Sequence, residues 1–417
     1  MNCDLIIYNA NELLTLAGSP YPRRGKEMDD LAVVENGAVA VKDDKILDTG
    51  STEDILRNYS CENKINAAGK VIMPGFVDSH THPVFFDTRE NEFEMRILGK
   101  TYVEISKAGG GIRSSIAGVR NASFDELYDK AKKRLSKFIA NGTTVLEAKS
   151  GYGLDTESEL KMLKVINKLK EDLPIDIIPT FMGAHEFPAE YKDNHKEYIR
   201  ILCEEMMPAV AESGLAEYCD IFTEEHVYSV DESRIVMQRA KELGFKLRIH
   251  ADEIESVGGA ELAAELGAVS ADHLGAASDK GIIAMRDAGV IATLLPGTLF
   301  SLRMKEYARA RYMIDNGLPV AIATDYNPGS CNCDDMQLII SLSVLQMGMT
   351  VKEAVVAATI NAAHALNRGN KIGSLEKGKQ ADILIMDMPS YRFIPYHLGS
   401  SNAETVIKNG KIIYQNK

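Results

Sequence analysis

Short β-rich runs alternate with amphipathic helical stretches through the central part of the chain, and this alternation constrains the fold more than any other feature. The runs that indicate strands are the eight segments 75–79, 143–148, 176–182, 220–223, 247–250, 269–273, 290–295 and 320–324. Helices between them begin at capping boxes such as Ser123-x-x-Glu126 and Thr350-x-x-Glu353. Gly142 is expected to close the first of these helices, and the second to run to about Leu366. The pattern predicts an α/β fold, a (β/α)8 barrel of the TIM type, with a doubly wound open sheet as the alternative.

The two chain ends have a different character, because they contain short strands and tight turns. Strands or hairpins are indicated over residues 5–8, 38–47, 381–386 and 406–413, the last of them around Asn409-Gly410. Short strands at both ends predict one small β-sandwich built from the two termini. We therefore expect residues 1–74 and 367–417 to form the two parts of that composite β-sandwich and residues 75–366 to form the barrel.

Composition argues against several classes of partner. Hydrophobic residues make up 45% of the chain and charged residues 26%, as in ordinary globular proteins, and the net charge is −13. An acidic surface argues against nonspecific binding to nucleic acid or to anionic membranes. The first residues lack the layout of a signal peptide, no apolar run is long enough to span a bilayer, and the six cysteines are dispersed. We expect a cytoplasmic protein with reduced thiols and no nucleic-acid or membrane partner.

Histidines collect where the predicted strands end. Active sites of parallel barrels lie at the carboxyl ends of the strands. Six of the nine histidines of the chain fall there: His80, His82, His185, His226, His250 and His273. A single histidine of this kind is equally well explained by a hydrogen-bonded core or loop position. Six together indicate a functional site at this end of the barrel.

The pair His80-x-His82 predicts a metal site. Residues two apart on an extended strand point to the same face, so two imidazoles placed in this way can bind one ion. Imidazole suits Zn, Fe, Co or Ni. A third imidazole from His250 and a carboxylate from Asp325 would leave one coordination position open for water. An open position is typical of a catalytic metal site.

Residues 74–82 (Pro-Gly-Phe-Val-Asp-Ser-His-Thr-His) resemble the first-strand signature of the amidohydrolase superfamily. Its members are metal-dependent hydrolases on a (β/α)8 barrel with a small β-sandwich from both termini. Nearly the whole chain is similar to one family within it, through residues 91–96, 109–114, 149–154, 183–185, 250–253, 270–274 and 324–330. The resemblance implies hydrolysis of the cyclic amide bond of 4-imidazolone-5-propanoate to N-formimidoyl-L-glutamate in histidine degradation, by a metal-activated water.

The same resemblance implies roles for individual residues. The implied metal ligands are His80, His82, His250 and Asp325. The implied substrate contacts are Arg89, Tyr152, His185, Glu253, Asn327, Gly329 and Ser330. The expected cofactor is one divalent or trivalent metal ion per subunit, Zn or Fe, and the expected assembly is a homodimer. Because the predicted fourth barrel strand has no lysine, the lysine-bridged two-metal site of some relatives is not expected.

The chemistry of amide hydrolysis suggests how some of these residues act. Glu253 is expected to accept the proton of the water and pass it to the ring nitrogen, and His273 to stabilise the oxyanion. Arg89 offers a planar fork for the carboxylate of an anionic substrate. The alternatives, which the sequence favours less, are a solvated loop carboxylate for Glu253 and an ordinary surface salt bridge for Arg89. Gly109-Gly110-Gly111 lacks the lysine of a phosphate-binding loop, so it is expected to flank the mouth of the site.

Two other interpretations of the sequence stay open. A deaminase of the same superfamily, acting on a purine, pyrimidine or related ring, would share the metal ligands and Glu253. The carboxylate-binding set around Arg89 and Tyr152 argues against it, and an assay for ammonia release would distinguish the two reactions. A non-catalytic binding or scaffolding protein could keep the barrel, but such proteins typically lose metal ligands and none is missing here. The metal content of the purified protein would decide that question.

Overall fold

The computed structural model describes residues 1–100, 104 and 110–416. Gly109 of the glycine run lies outside the described residues. The strands are β1 (Leu5–Leu14), β2 (Val33–Lys42), β3 (Lys45–Ser51), β4 (Lys64–Asn66), β5 (Val71–Pro74), β6 (Phe76–Asp78), β7 (Thr143–Lys149), β8 (Asp176–Ala184), β9 (Tyr218–Thr223), β10 (Lys246–Ala251), β11 (Ser270–His273), β12 (Ile291–Leu294), β13 (Val320–Ile322), β14 (Ile383–Met386), β15 (Ala403–Lys408) and β16 (Lys411–Gln415).

The described helices lie between these strands. They are α1 (Thr52–Asn58), α2 (Glu90–Ile97), α3 (Ile112–Asn121), α4 (Phe124–Ala140), α5 (Thr156–Asp172), α6 (His195–Ile201), α7 (Met207–Ser213), α8 (Val230–Glu242), α9 (Gly259–Leu266), α10 (Asp279–Ala288), α11 (Pro296–Ser301), α12 (Ala310–Asp315), α13 (Met336–Met347), α14 (Val351–Ala357), α15 (Ile360–Ala365) and α16 (Phe393–Tyr396). Short 3-10 helices occur at Gly25–Asp29 and Ala189–Tyr191, and a π-helical turn at Leu202–Met206 joins α6 to α7.

Eight parallel strands form the central barrel. Strands β6 to β13 lie side by side in chain order, each hydrogen-bonded to the next. The first and last strands meet through the segments that follow them. There the Asp325 N–H donates to the His80 carbonyl at 3.0 Å, and the His82 N–H donates to the Tyr326 carbonyl at 2.8 Å. The nearly closed sheet confirms the predicted (β/α)8 barrel over the doubly wound open sheet.

Helices cover the barrel, and the capping residues in the sequence predict where several of them begin. Helix α4 begins at the predicted capping box, where the Glu126 N–H donates to Ser123 Oγ at 3.3 Å. Gly142 follows the end of this helix with a φ of 97°, a conformation that favours glycine. No helix in the described part of the chain is both long enough and apolar enough to cross a membrane.

The single helix predicted from Thr350 to Leu366 is wrong, because the segment is divided into α14 and α15. The break is at Thr359, whose φ of −129° and ψ of −94° lie outside the helical range. The Thr359 hydroxyl donates to the Val355 carbonyl at 2.6 Å. Side-chain bonds of this kind to the preceding turn bend helices, and the capping box at Thr350 carries no information about them.

The two chain ends form one mixed sheet beside the barrel. Its strand order is β16-β15-β14-β5-β1-β2-β3, with β4 paired to β1. The two ends of the chain meet where β5 pairs antiparallel with β14. This confirms a small β domain made from both termini, in which β1 is longer than predicted and the expected hairpins are β2–β3 and β15–β16. The limits 1–74, 75–366 and 367–417 stay predictions.

Candidate active site

Side chains point alternately to the two faces of each barrel strand, and several polar side chains point to the barrel interior. Successive residues of a strand point to opposite faces, so residues two apart share a face. Three strands carry buried polar pairs of this kind: Glu147 and Lys149 on β7, Arg248 and His250 on β10, and Ser270 and Asp272 on β11. The polar floor of the site is therefore built on strands, which hold side chains more rigidly than loops do.

Four imidazoles and one carboxylate converge at the carboxyl end of the barrel. The ligand atoms of His80, His82 and His250 lie within 4.8 Å of one another, and those of His80, His273 and Asp325 form a second group of this kind. Asp325 Oδ1 is 3.6 Å from His80 Nε2 and 3.7 Å from His82 Nε2. The residues predicted as metal ligands thus lie together, with His273 beside them.

Two aspartates orient the imidazoles from behind. Asp272 Oδ2 is 2.7 Å from His80 Nδ1, and Asp220 Oδ1 is 3.0 Å from His250 Nδ1. An imidazole that donates its Nδ1 proton to a carboxylate keeps a lone pair on Nε2, the atom that a metal ion binds. Sequence reasoning assigned no role to either aspartate. The signal that could have found them is an aspartate inside a barrel strand, in β9 and in β11.

The donor set fits a divalent cation. His80 Nε2 and His82 Nδ1 are buried and have no hydrogen-bond partner among the described residues. Burial lowers the pKa of His80 and of His82 well below the ordinary value, so both imidazoles are neutral and carry a lone pair. Neutral imidazoles beside a carboxylate are ligands of divalent transition metals.

Asp325 is held in an uncommon backbone conformation. Its φ is 51°, and the φ of His273 is 75°, both in the left-handed region that non-glycine residues rarely adopt. The Thr298 hydroxyl of α11 donates to Asp325 Oδ2 at 2.5 Å, so Oδ1 faces the imidazoles. Burial raises the pKa of Asp325 to about 6. No pattern in the sequence marks Thr298.

Glu253 lies beside His273 in the same enclosure. Its Oε2 is 3.5 Å from His273 Nδ1, and its side chain is 10% exposed. Burial, with smaller contributions from the charges of Asp325 and Glu224, raises the pKa of Glu253 to about 8. Glu224 Oε2 accepts the Ile254 N–H at 2.9 Å and so fixes the loop next to Glu253. Glu253 is therefore not a solvated loop carboxylate, and a pKa near neutrality suits proton transfer.

Arg89 follows His82 in the chain and reaches the same cavity. Its Nε and Nη2 donate to Glu92 Oε2 at 2.9 and 2.7 Å, and Glu92 Oε1 accepts the Gly111 N–H at 2.9 Å. The Arg89 side chain is only 15% exposed, so this pair is not an ordinary surface salt bridge. Nη1 packs against Gly329, where a Cβ would overlap it, and has no hydrogen-bond partner in the described ranges. Sequence reasoning missed Glu92.

Tyr152 and His185 stand next to His82 on the loops after β7 and β8. The rings of His185 and His82 are stacked with centres 5.0 Å apart, and the Tyr152 ring is 5.2 Å from His185. Burial lowers the pKa of His185 to about 3 and raises that of Tyr152 far above its ordinary value. The imidazole is therefore neutral and the phenol keeps its proton. The Tyr152 loop is held by the buried carboxylate of Glu159, which accepts the N–H groups of Gly151, Gly153 and Leu154.

The loop after β13 is organised by the side chain of Asn327. Its Oδ1 accepts the N–H groups of Gly329 and Ser330 at 2.8 and 2.7 Å, and its Nδ2 donates to the Asp325 carbonyl at 2.7 Å. The amide group therefore makes its hydrogen bonds within the loop, and these bonds set the positions of Gly329 and Ser330 at the cavity. The expected direct contact of Asn327 with substrate stays a prediction.

One cavity of about 800 Å³ connects these side chains. Every predicted site residue lines it except His80, which is fully buried beneath the other imidazoles. Its volume is in the range of sites for small molecules. The cations that line it are Arg89, Arg96, Lys100 and Arg303. The same cavity is lined by the carboxylates of Glu92, Glu186, Glu253 and Asp325, so an anionic ligand would bind at individual cations and not in a uniformly positive cavity.

A barrel with this cluster at its carboxyl end belongs to a known class of hydrolase. The chain is a member of the amidohydrolase family, whose model matches residues 71–413. It is 51% identical over 414 residues to the imidazolonepropionase of Clostridium tetani (strain Massachusetts / E88), covering 99% of this chain and 98% of that protein. It is also 50% identical to the imidazolonepropionase of Geobacillus sp. (strain WCH70), covering 98% and 97%. The resemblance inferred from the sequence motifs is confirmed.

Solved structures share the fold at low sequence identity. Guanine deaminase from E. coli matches with a TM-score of 0.72 and 13% identity, over 99% of each chain. A 5-methylcytosine deaminase from Klebsiella pneumoniae matches with a TM-score of 0.73 and 17% identity, over 99% of this chain and 98% of that one. These matches show the fold alone and do not bear on the substrate.

Proposed function

We propose that this chain hydrolyses 4-imidazolone-5-propanoate to N-formimidoyl-L-glutamate, the imidazolonepropionase step of histidine degradation. The observation that carries the proposal is a single cavity that joins the imidazole–carboxylate cluster, the Glu253–His273 pair and Arg89. Hydrolysis of this cyclic amide needs an activated water, a carrier for protons and a site for the carboxylate tail. Identities of 51% and 50% to two proteins of that name support the same substrate.

The proposed ligands of one metal ion per subunit are His80, His82, His250 and Asp325. The proposed ion is Zn or Fe, since both accept three imidazoles and a carboxylate. Such an ion, when bound, supplies a water whose pKa is lowered to about 7 and polarises the carbonyl of the substrate. The chain contributes ligands in fixed orientations, with Asp272 and Asp220 behind two of the imidazoles.

Glu253 is proposed as the proton carrier and His273 as the oxyanion stabiliser. A carboxyl group with a pKa of about 8 takes up and releases a proton close to neutral pH, so Glu253 can remove the water proton and deliver it to the ring nitrogen. Burial lowers the pKa of His273 well below its ordinary value, so the imidazole is neutral. A neutral imidazole stabilises the oxyanion by donating a hydrogen bond, and Nε2 is the atom without another partner among the described residues.

Arg89 is proposed to bind the propanoate tail. Its Nε and Nη2 hold Glu92, which leaves Nη1 for the substrate and fixes the plane of the guanidinium. Tyr152 keeps its phenolic proton and can donate to the ring or the tail. The other proposed substrate contacts are His185, Glu253, Asn327, Gly329 and Ser330. Cytoplasmic location, the homodimer and the absence of a nucleic-acid partner stay predictions from the sequence.

Turnover of imidazolonepropanoate, followed by loss of the ultraviolet absorption of the ring, tests the proposal. We expect turnover by the metal-loaded protein and no ammonia release from purine or pyrimidine rings. His82→Ala should abolish turnover, whereas His397→Ala should not, because His397 lies in the terminal region, where its ring bonds to Asn402 Oδ1 at 3.0 Å and contacts Phe393. Ammonia release without hydrolysis of imidazolonepropanoate would overturn the proposal in favour of a deaminase.

A further inference from the structure

Five titratable side chains are fully buried inside the barrel, beneath the imidazole cluster. They are Glu147, Lys149, Asp220, Arg248 and Asp272. Three are acidic and two are basic, and they come from strands β7, β9, β10 and β11. Burying so many ionisable groups is costly unless each is paired. Such a group therefore requires an explanation, and the proposed mechanism uses only the two aspartates.

Lys149 occupies the centre of this group. Its Nζ is 2.7 Å from Glu147 Oε1, 2.7 Å from Asp220 Oδ2 and 3.9 Å from Asp272 Oδ2. An ammonium group has three N–H donors and no acceptor, so it can face three carboxylates at once. Arg248 supports the same group from the other side, with Nη2 2.9 Å from Asp272 Oδ2.

The two aspartates that face Lys149 are those that hold the imidazoles. Asp220 contacts Lys149 through Oδ2 and His250 Nδ1 through Oδ1. Asp272 Oδ2 lies 2.7 Å from His80 Nδ1 and within 3.9 Å of Lys149. Lys149 therefore fixes Asp220 and, through it, the ring of His250. Asp272, which holds His80, is hydrogen-bonded by Arg248 Nη2 at 2.9 Å, and Lys149 adds a nearby positive charge. Without Lys149, Arg248 still pairs with Asp272 and Glu147, but Asp220 loses the ammonium group at 2.7 Å that holds its carboxylate toward the His250 ring.

We propose that Lys149 is a positioning residue of the metal site, which sets the orientation of His250 through Asp220 and adds its charge beside Asp272, the partner of His80. The inference rests on the proposed function, because it takes both histidines to be metal ligands. Partners that orient metal-binding histidines typically change metal affinity 10- to 100-fold when they are removed. Lys149 acts one bond further away, through Asp220 on His250 and by its charge on Asp272, so we expect a loss in the same range.

The test is the affinity of the metal-free protein for Zn²⁺, measured by competition with a chromophoric chelator. Lys149→Met should raise the dissociation constant for Zn²⁺ roughly 10- to 100-fold, with helical content and cooperative melting retained. Lys408→Met is the matched control. Lys408 is also a buried lysine between two aspartates, 2.7 Å from Asp176 Oδ2 and 2.7 Å from Asp382 Oδ2, and it contacts none of the site histidines. The control should lose stability but bind Zn²⁺ within about threefold of wild type.

Each outcome separates this inference from the proposed function. Equal Zn²⁺ affinity in wild type and Lys149→Met overturns the inference alone. An equal loss of affinity in Lys149→Met and Lys408→Met also overturns it, since the effect would be general destabilisation. If wild type binds no Zn²⁺, the proposed metal site fails, and the inference fails with it. If Lys149→Met does not fold, Lys149→Gln carries the same test, because glutamine keeps N–H donors without the charge.

Discussion

Gly329→Ala tests how the substrate tail is bound, because it moves Arg89 without removing it. A Cβ at position 329 would overlap Arg89 Nη1 and lie 2.7 Å from Arg89 Cζ, whereas ordinary contacts begin at 3.4 Å, so the guanidinium must shift by at least about 0.7 Å. A charge-assisted hydrogen bond to a carboxylate contributes about 1.5–3 kcal/mol. Its loss should raise KM roughly 10- to 100-fold. Because the displaced atoms end a flexible side chain, the free energy of unfolding should change by at most about 1 kcal/mol.

Steady-state kinetics with imidazolonepropanoate measure this effect, together with metal content and thermal melting. Gly50→Ala is the matched control, since no atom lies within 4 Å of a Cβ there, and it should leave KM unchanged. Arg89→Ala should raise KM as much as Gly329→Ala does, with metal content unchanged. The double variant should be no worse than Arg89→Ala alone, because both substitutions then act through one guanidinium.

Two results would refute this reasoning. An unchanged KM in both Arg89→Ala and Gly329→Ala would mean that the tail binds elsewhere in the cavity, for example at Arg96 or Lys100, which also line it. A double variant far worse than Arg89→Ala would mean that the alanine at position 329 obstructs the substrate directly. Loss of metal in Gly329→Ala would mean that the substitution disturbs the neighbouring Asp325.

The remaining predictions concern the metal site and the proton carrier. His80→Ala or Asp325→Ala should remove the metal and nearly all activity while the barrel stays folded, and full metal occupancy in either variant would contradict the ligand assignment. Glu253→Gln should keep the metal but lower kcat about 10²- to 10⁴-fold, whereas a value within about threefold of wild type would transfer the proton-carrier role to His273. Because burial raises the pKa of Glu253 to about 8 and its deprotonated form accepts the proton, wild-type kcat/KM should increase as pH rises through this range. Glu253→Gln should lose that increase, which a pH–rate profile will show.

Local patterns in the sequence were sufficient for the architecture and for the gathering of histidines at one end of the barrel, whereas the substrate contacts were implied by the family resemblance. The β-rich runs at 75–79 and 320–324 carry their own hydrophobic signal, and the helix that follows Ser123 carries its own cap. Once these elements alternate, a closed parallel barrel brings the residues after each strand to one end. For that reason Asp325 could be placed beside His80 and His82 although it lies far from them in the chain.

The partners that orient these residues were decided only by the tertiary structure. Asp272 lies 192 residues from His80, and Asp220 lies 71 residues from Lys149, and no periodic pattern connects residues at such separations. The same holds for Thr298 and Asp325, 27 residues apart. Each of these groups is buried, where an ionisable or polar side chain is stable only against a complementary partner. Which partner such a side chain contacts depends on the stagger of neighbouring strands and on the curvature of the barrel. The pairing therefore exists only after the chain has folded.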